Sequence, residues 1–337
     1  MNITMQDIAD RAGVSRPVVS AVLNGKESFR VALETREKIL KIARDLSYCR
    51  NALAASTRTG IVKTIAVITD FSDKRPEIIA GIMEEGAKYD YNIKIFSDAD
   101  LDLTVKKIME NRIGLIISLS AEEAKQQYLK TLCQKHGLKV IFHFAFGNMG
   151  FPCINIDFRA GGFLSVKKLI ALGHKRIGLI CGPLDFRHYH GEYRQGYLEG
   201  LARGGVPFDE ELCQCRKDFR ISVENLLSLP PGKRPTALIC ISDVIAYYTF
   251  RTAARKGLLL PEELSIIGFG NFTYSDLAFV PLTSLDEFLP ERGRLSVELL
   301  LGKKRKLCNK KDLLLLKPEL VIRESTTKYN QQMGGKK

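Results

Sequence analysis

No apolar run in this 337-residue chain approaches the roughly 20 residues that a membrane-spanning helix requires. Stretches such as 114–119 and 313–316 end far short of it, so a membrane-embedded protein is excluded on length of run alone. The start of the chain has no basic segment followed by an apolar one, so no secretory signal is expected and the cytoplasm is the expected compartment. The eight cysteines (Cys49, Cys133, Cys153, Cys181, Cys213, Cys215, Cys240 and Cys308) contain no C-x-x-C pair, and only Cys213 and Cys215 are close in sequence. That scatter fits free thiols packed as small hydrophobes rather than a metal site. There is no G-x-G-x-x-G after a strand, no P-loop, no nucleophile elbow and no metal-ligand spacing of His, Asp and Glu. An enzyme is therefore not expected, and no cofactor or metal is called for. His188 and His190 flank Tyr189 in an expected loop, and His174 sits at an expected helix end; structural roles suffice for them.

What is present is a chain that is 45% hydrophobic and 26% charged, long enough for two or three buried cores. Its net charge of +13 is unevenly placed. Residues 1–63 carry +5, residues 303–337 carry +8, and 64–302 hold 29 basic and 29 acidic residues. A basic end on a neutral body is the electrostatic footprint of a nucleic-acid binder, although solvated surface charge explains the C-terminal block equally well. The 303–306 Lys/Arg run is expected to be an exposed turn, and 327–337 a disordered tail.

The first 46 residues read as three short helices. Thr4 is placed to cap the first, with Asp7 three residues on to bond back to it. Ile8, Ala9 and Ala12 share a face, and Gly13 supplies a tight turn. Ser15 caps a second helix with Pro17 in its first turn and Val19, Val22 and Leu23 inward; Asn24 and Gly25 end it. A third helix over 33–46 turns Ile39, Ile42, Ala43 and Leu46 inward. Helix, glycine turn, helix and supporting helix is the helix-turn-helix plan, in which the start of the second helix meets base edges in the major groove. Arg16, Pro17, Ser20 and Ala21 would be those residues here, Arg16 with the fork that pairs to guanine.

From residue 64 the pattern changes. Near-continuous apolar runs at 64–69, 92–96, 114–119, 139–142, 154–156, 176–181, 236–241 and 265–268 alternate with amphipathic helical stretches. Buried parallel strands separated by helices imply an α/β body, and this many strands fits two doubly wound parallel sheets better than one.

Asp7-Ile8-Ala9-Asp10-Arg11-Ala12-Gly13-Val14-Ser15, then Val19-Ser20-Ala21-Val22-Leu23-Asn24-Gly25, then Glu34-Thr35-Arg36 and Asn51-Ala52-Leu53-Ala54 resemble the DNA-binding headpiece of the LacI/GalR family of bacterial transcriptional regulators. Leu172-Gly173-His174 with Ile177, Pro281-Leu282-Thr283-Ser284-Leu285 and Pro318-Glu319-Leu320-Val321-Ile322 resemble landmarks of the same family's body. The resemblance runs over roughly 3–326. It implies a headpiece at 1–49, a hinge helix and linker at 50–63, and a periplasmic-binding-protein-like two-lobe body at 64–326. The N-lobe would hold 64–156 and 287–317 and the C-lobe 157–286 and 318–326, with a cleft between them. It also implies a homodimer on a pseudo-palindromic operator and a nucleoid-associated protein. No leucine heptads follow Ser325, so a tetramerising tail is not expected. On this resemblance Thr4, Ser15, Arg16, Pro17, Ser20, Ala21, Asn24, Leu53, Ala54, Thr57 and Arg58 are the DNA-contacting positions. Thr57 stands where the family carries its wedging leucine, and a threonine is a poor wedge.

The implied cleft departs from the family. Tyr193 stands at the usual arginine anchor, with Arg194 one residue later; Gly270 and His143 stand where aspartates are usual; and Lys74-Arg75 replaces an aromatic pair. Lys74, Arg75, Arg187 and Arg194 are candidates to converge on an anion such as a sugar phosphate. Phe144, Tyr189, Tyr193 and Phe219 are candidates to stack on a ring, and Asp243 and Asn271 to supply polar contacts. The alternatives are an effector of another class, a regulator that needs none, and a ligand sensor with little DNA specificity.

Overall fold

The computed structural model describes residues 3–23, 30–48, 62–70, 75–145, 149–184 and 188–330. Two compact units divide the chain, one at Met1–Val62 and one at Lys63–Lys337.

The first unit is three helices, α1 (Met5–Ala12), α2 (Arg16–Leu23) and α3 (Leu33–Asp45). The cap on α1 is reciprocal: Asp7 N donates to Thr4 Oγ1 at 3.3 Å, and Thr4 N donates to Asp7 Oδ2 at 2.7 Å. The bonds that its carboxylate accepts from Thr4 N and Thr4 Oγ1 hold the Asp7 carboxyl below its ordinary range. Gly13 ends the helix with φ +70°, a left-handed conformation that costs a side chain most. Ile8, Ala9, Ala12, Val19, Val22, Ile39 and Ala43 form a small closed core.

The second unit contains two six-stranded sheets. In the first, strands β1 (Thr64–Thr69), β2 (Asn92–Ser97), β3 (Leu115–Ser118), β4 (Lys139–His143), β5 (Cys153–Ile156) and β11 (Leu313–Leu316) lie in the order β11-β5-β4-β3-β1-β2, all parallel. Helices α4 (Arg75–Lys88), α5 (Leu101–Glu110), α6 (Glu123–His136) and α11 (Leu289–Leu300) accompany it. In the second, β6 (Ile177–Cys181), β7 (Cys213–Cys215), β8 (Ala237–Cys240), β9 (Ser265–Gly270), β10 (Thr283–Asp286) and β12 (Glu319–Val321) lie in the order β12-β10-β9-β8-β6-β7, with only β12 antiparallel. Its helices are α7 (Phe158–Ala171), α8 (His188–Arg203), α9 (Phe219–Leu227) and α10 (Asp243–Arg255). The chain passes between sheets three times: from β5 into α7, from β10 into α11, and from β11 into β12.

Strands β1, β5, β6, β8 and β9 are buried almost throughout, which is why they read as continuous apolar runs. Helices α7 and α8 meet backbone to backbone at Gly162 and Gly196, where an added Cβ would strike the Tyr193 and Arg159 carbonyl oxygens respectively. His188–Tyr189–His190 is the first turn of α8, not a loop. Residues 327–330 are packed against the body, with Thr327 N donating to Ser265 Oγ at 3.1 Å and Tyr329 N to the Leu172 carbonyl at 2.8 Å. His174 anchors that segment through Thr236 and the Thr327 carbonyl. Residues 331–337 and most of the 50–63 hinge lie outside the described residues. No helix among the described residues is long and apolar enough to cross a membrane.

Candidate DNA-reading face and ligand cleft

At the start of α2, Ser15, Arg16 and Pro17 are exposed and Ser20 is half-buried. Arg16 and Ser20 are four residues apart and so share a face, away from the inward Val19 and Val22. Ala21 does not join them: it is only 5% exposed. Helix rotation sets it no nearer the Val19–Val22 face than Ser20, so its burial comes from the surrounding structure and not from its phase on the helix. Thr4 is exposed and engaged with Asp7. Asn24, Leu53, Ala54, Thr57 and Arg58 lie outside the described residues.

In open parallel sheets, ligands sit beyond the carboxyl ends of the strands. In the second unit those ends carry Asp70 and Arg75 after β1, His143 and Phe144 at β4, Phe158 after β5, Tyr189 after β6 and Glu287 after β10. Phe144 is the hub. It holds a left-handed backbone, φ +60°, and is 4% exposed. The guanidinium carbons of Arg75 and Arg292 lie 4.3 and 4.6 Å from its ring centroid, within cation–π range. Across from it, Tyr189 lies 6.1 Å away and stacks on Phe158 at 4.7 Å, which stacks on Phe269 at 5.3 Å. The junction of the two sheets is thus an aromatic column with two buried guanidiniums at one end.

Each guanidinium has a carboxylate. Arg75 donates from Nε to Asp70 Oδ1 at 3.0 Å and from Nη2 to Asp70 Oδ2 at 3.4 Å. Arg292 donates from Nη1 to Glu287 Oε2 at 3.1 Å, with both side chains fully buried. Among the described residues, Arg292 Nε and Nη2 have no hydrogen-bond partner, and neither do the two ring nitrogens of the fully buried His143 or the hydroxyl of Ser118 on the neighbouring strand. Burial lowers the Arg292 pKa to about 10, with Arg75 adding to the effect and Glu287 opposing it. Burial, then the charges of Arg292 and Arg75, push His143 well below the ordinary histidine range, so it is neutral near pH 7. An exposed contact joins the loop after β9 to α4: Thr273 donates from N and Oγ1 to Glu77 Oε1, both at 3.2 Å.

The other predicted ligand contacts are placed differently. Tyr193 is fully buried, edge-on to Phe269, with its hydroxyl 3.2 Å from Ser165 Oγ; it is core. Arg194, one residue on, covers the Phe208 ring at 5.6 Å and lies against Cys213, so it does not converge with Arg75. Phe219 packs edge-on to Tyr248 at 5.6 Å rather than in the aromatic column. Asp243 is fully buried and accepts from Phe272 N (3.0 Å), Ser275 Oγ (2.8 Å) and Ser284 Oγ (2.6 Å), so its oxygens are committed inside its own sheet. Asn271 bridges a crossover, donating to Asp286 Oδ2 at 3.1 Å and accepting from Arg323 Nη2 at 2.8 Å. Lys74 and Arg187 lie outside the described residues. Arg292, Glu287 and Asp70 were missed. A charged residue beside Gly293, in a stretch that must pack against α4, was the available signal.

Three packed helices ahead of a two-sheet body whose strand ends meet at a junction of aromatic and charged side chains define a regulator architecture of helix-turn-helix plus periplasmic-binding-protein-like domain. The pattern described as "Bacterial regulatory proteins, lacI family" matches residues 4–51, and "Periplasmic binding protein-like domain" matches 166–326. The HTH-type transcriptional repressor CytR of Escherichia coli is 32% identical, covering 96% of each chain. The ribose operon repressor of Haemophilus influenzae is 29% identical, covering 96% of this chain and 98% of that protein. Among solved structures, a Lac repressor dimer bound to operator and the anti-inducer ONPF superposes with a TM-score of 0.78 at 22% identity, covering 97% of this chain and 100% of that one. The chain belongs to the lacI family of bacterial regulatory proteins.

Proposed function

We propose that the chain is a cytoplasmic, homodimeric transcriptional repressor that binds a pseudo-palindromic operator through its headpiece and is controlled by a small molecule in the interlobe cleft. The observation that carries the DNA-binding part is the exposed Arg16–Pro17 start of a helix whose other face closes a complete three-helix core, at the basic end of the chain. Domain limits of 1–49, 50–63 and 64–326 go with this reading. Support for the dimer comes from a mostly apolar groove of about 440 Å³ lined by Tyr247, Phe250, Ala254, Tyr274, Leu277, Ala278 and Phe279, with Arg251 among them. Leu277 is 80% and Phe279 91% exposed, two large apolar side chains side by side at the surface. A two-fold pairing would bury this patch against its own copy.

Selection of duplexes from a random pool by the purified protein tests the reading. Recovery of inverted half-sites is expected. Recovery of no palindrome, with binding that depends only on salt, would refute it. Within that assay Arg16→Ala should change the preferred base at one position of each half-site, and Arg58→Ala should weaken all sequences alike.

A further inference from the structure

Among the described residues, the junction of the two sheets is balanced in charge and unbalanced in hydrogen bonds. Among the described residues that face His143, Arg75 is matched by Asp70 and Arg292 by Glu287. Yet Arg292 uses Nη1 alone. Its Nε and Nη2, the side-on edge of the guanidinium, form the fork that fits two oxygens of one carboxylate or phosphate. His143 and Ser118 add further unpartnered groups at the carboxyl ends of adjacent strands. A fully buried polar edge without a partner is expensive to maintain, and protein interiors rarely keep one without use. Most of the missing partners are acceptors, since the fork only donates.

Building on the ligand-controlled reading above, we infer that the cleft takes a small molecule carrying an oxyanion, carboxylate or phosphate, which docks side-on across Nε and Nη2 of Arg292 with His143 as an additional donor. The rest of the molecule extends along the Phe144–Tyr189–Phe158 column. Arg292 and His143 are fully buried, so the ligand enters while the lobes are parted, with the Glu77–Thr273 contact open, and the lobes then close over it. Because the four charged groups among the described residues, Asp70, Arg75, Glu287 and Arg292, already cancel, the added negative charge is met by a proton from solvent on His143. Binding therefore takes up a proton, and affinity rises as pH falls towards 6.

The test is calorimetry and thermal shift on the full chain without DNA, with ribose, ribose 5-phosphate, ribonate and inorganic phosphate as probes at constant ionic strength. The expected result is stabilisation by one or more oxyanions and not by ribose. Proton uptake should show as a binding heat that depends on the buffer. Phosphate-only and carboxylate-only responses both support the inference and identify the group. Arg292→Lys keeps the charge beside Glu287 but has no fork, and should weaken the oxyanion about tenfold or more. His143→Asn should bind more weakly and abolish the proton uptake. Ribose binding as tightly as its charged counterparts would overturn the inference. So would an unchanged Arg292→Lys, or no response to any oxyanion up to tens of millimolar. Because DNA is absent, failure here leaves operator selection unaffected, and failure of operator selection leaves this result standing.

Discussion

Asp243→Ala is the perturbation that best separates a binding role for this residue from a structural one. Its carboxylate sits at the first position of α10 and ties three groups of the loop and strand that follow β9: Phe272 N, Ser275 Oγ and Ser284 Oγ, at 3.0, 2.8 and 2.6 Å. Removing it does not cost three full bonds. Ser275 keeps its 2.9 Å contact with the Tyr247 hydroxyl, and Ser284 still accepts from Asn271 N. Phe272 N is left without that acceptor at a residue only 1% exposed. Bonds to a charged acceptor contribute roughly 1.5–3 kcal/mol each, and a stranded buried donor costs about 1–3 kcal/mol more. Allowing for the partners retained, the loss should be about 3–5 kcal/mol.

Urea unfolding of the purified chain, followed by far-ultraviolet circular dichroism, measures this, and a thermal scan should show Tm falling by roughly 10 °C. Asp243→Asn is the control. It keeps one acceptor, and the serine hydroxyls can turn to accept from its amide, so it should cost only about 1–2 kcal/mol. The refuting outcome is an Asp243→Ala protein within about 1 kcal/mol of wild type, and more so if it had lost its response to ligand while keeping its Tm. That pattern would make the carboxylate a ligand contact.

Phe279→Asp places a charge in the centre of the exposed apolar groove and should convert a dimer to a monomer in sedimentation equilibrium, with little change in secondary structure. Gly196→Ala drives a methyl into the Arg159 carbonyl across the α7–α8 contact and should cost about 3 kcal/mol or more in urea titration; a neutral result would mean that the two helices separate easily. The folded-state pKa of His143 lies well below 6.5, so between that value and 6.5 only the unfolded chain takes up the proton. Stability without ligand should therefore fall as pH drops below 6.5, by up to about 1.4 kcal/mol per pH unit from this residue. His143→Gln should remove that part of the slope and leave the part due to His174, whose pKa burial also lowers.

Signals confined to a few neighbouring residues were readable in advance, and those made by distant ones were not. The α1 cap is an i, i+3 exchange between Thr4 and Asp7, and the buried strands β1, β6 and β8 announce themselves as apolar runs. Strand β7, three half-buried residues at a sheet edge, carries too little pattern to be seen, and β10 to β12 owe their existence to chain crossings. Family position transferred well for backbone and poorly for side-chain duty. Asp243 holds a family position, yet its partners Ser275 and Ser284 commit it to the fold. Arg292 failed for the opposite reason. An arginine in a helix is read as solvated unless something shows that it is enclosed, and what encloses it, Phe144 and Arg75, is far away in the chain. A buried charge becomes visible only when its surroundings are assembled. In a regulator that must tell one small molecule from another, the residues that depart from the family pattern and still end up buried are therefore the first places to look for specificity.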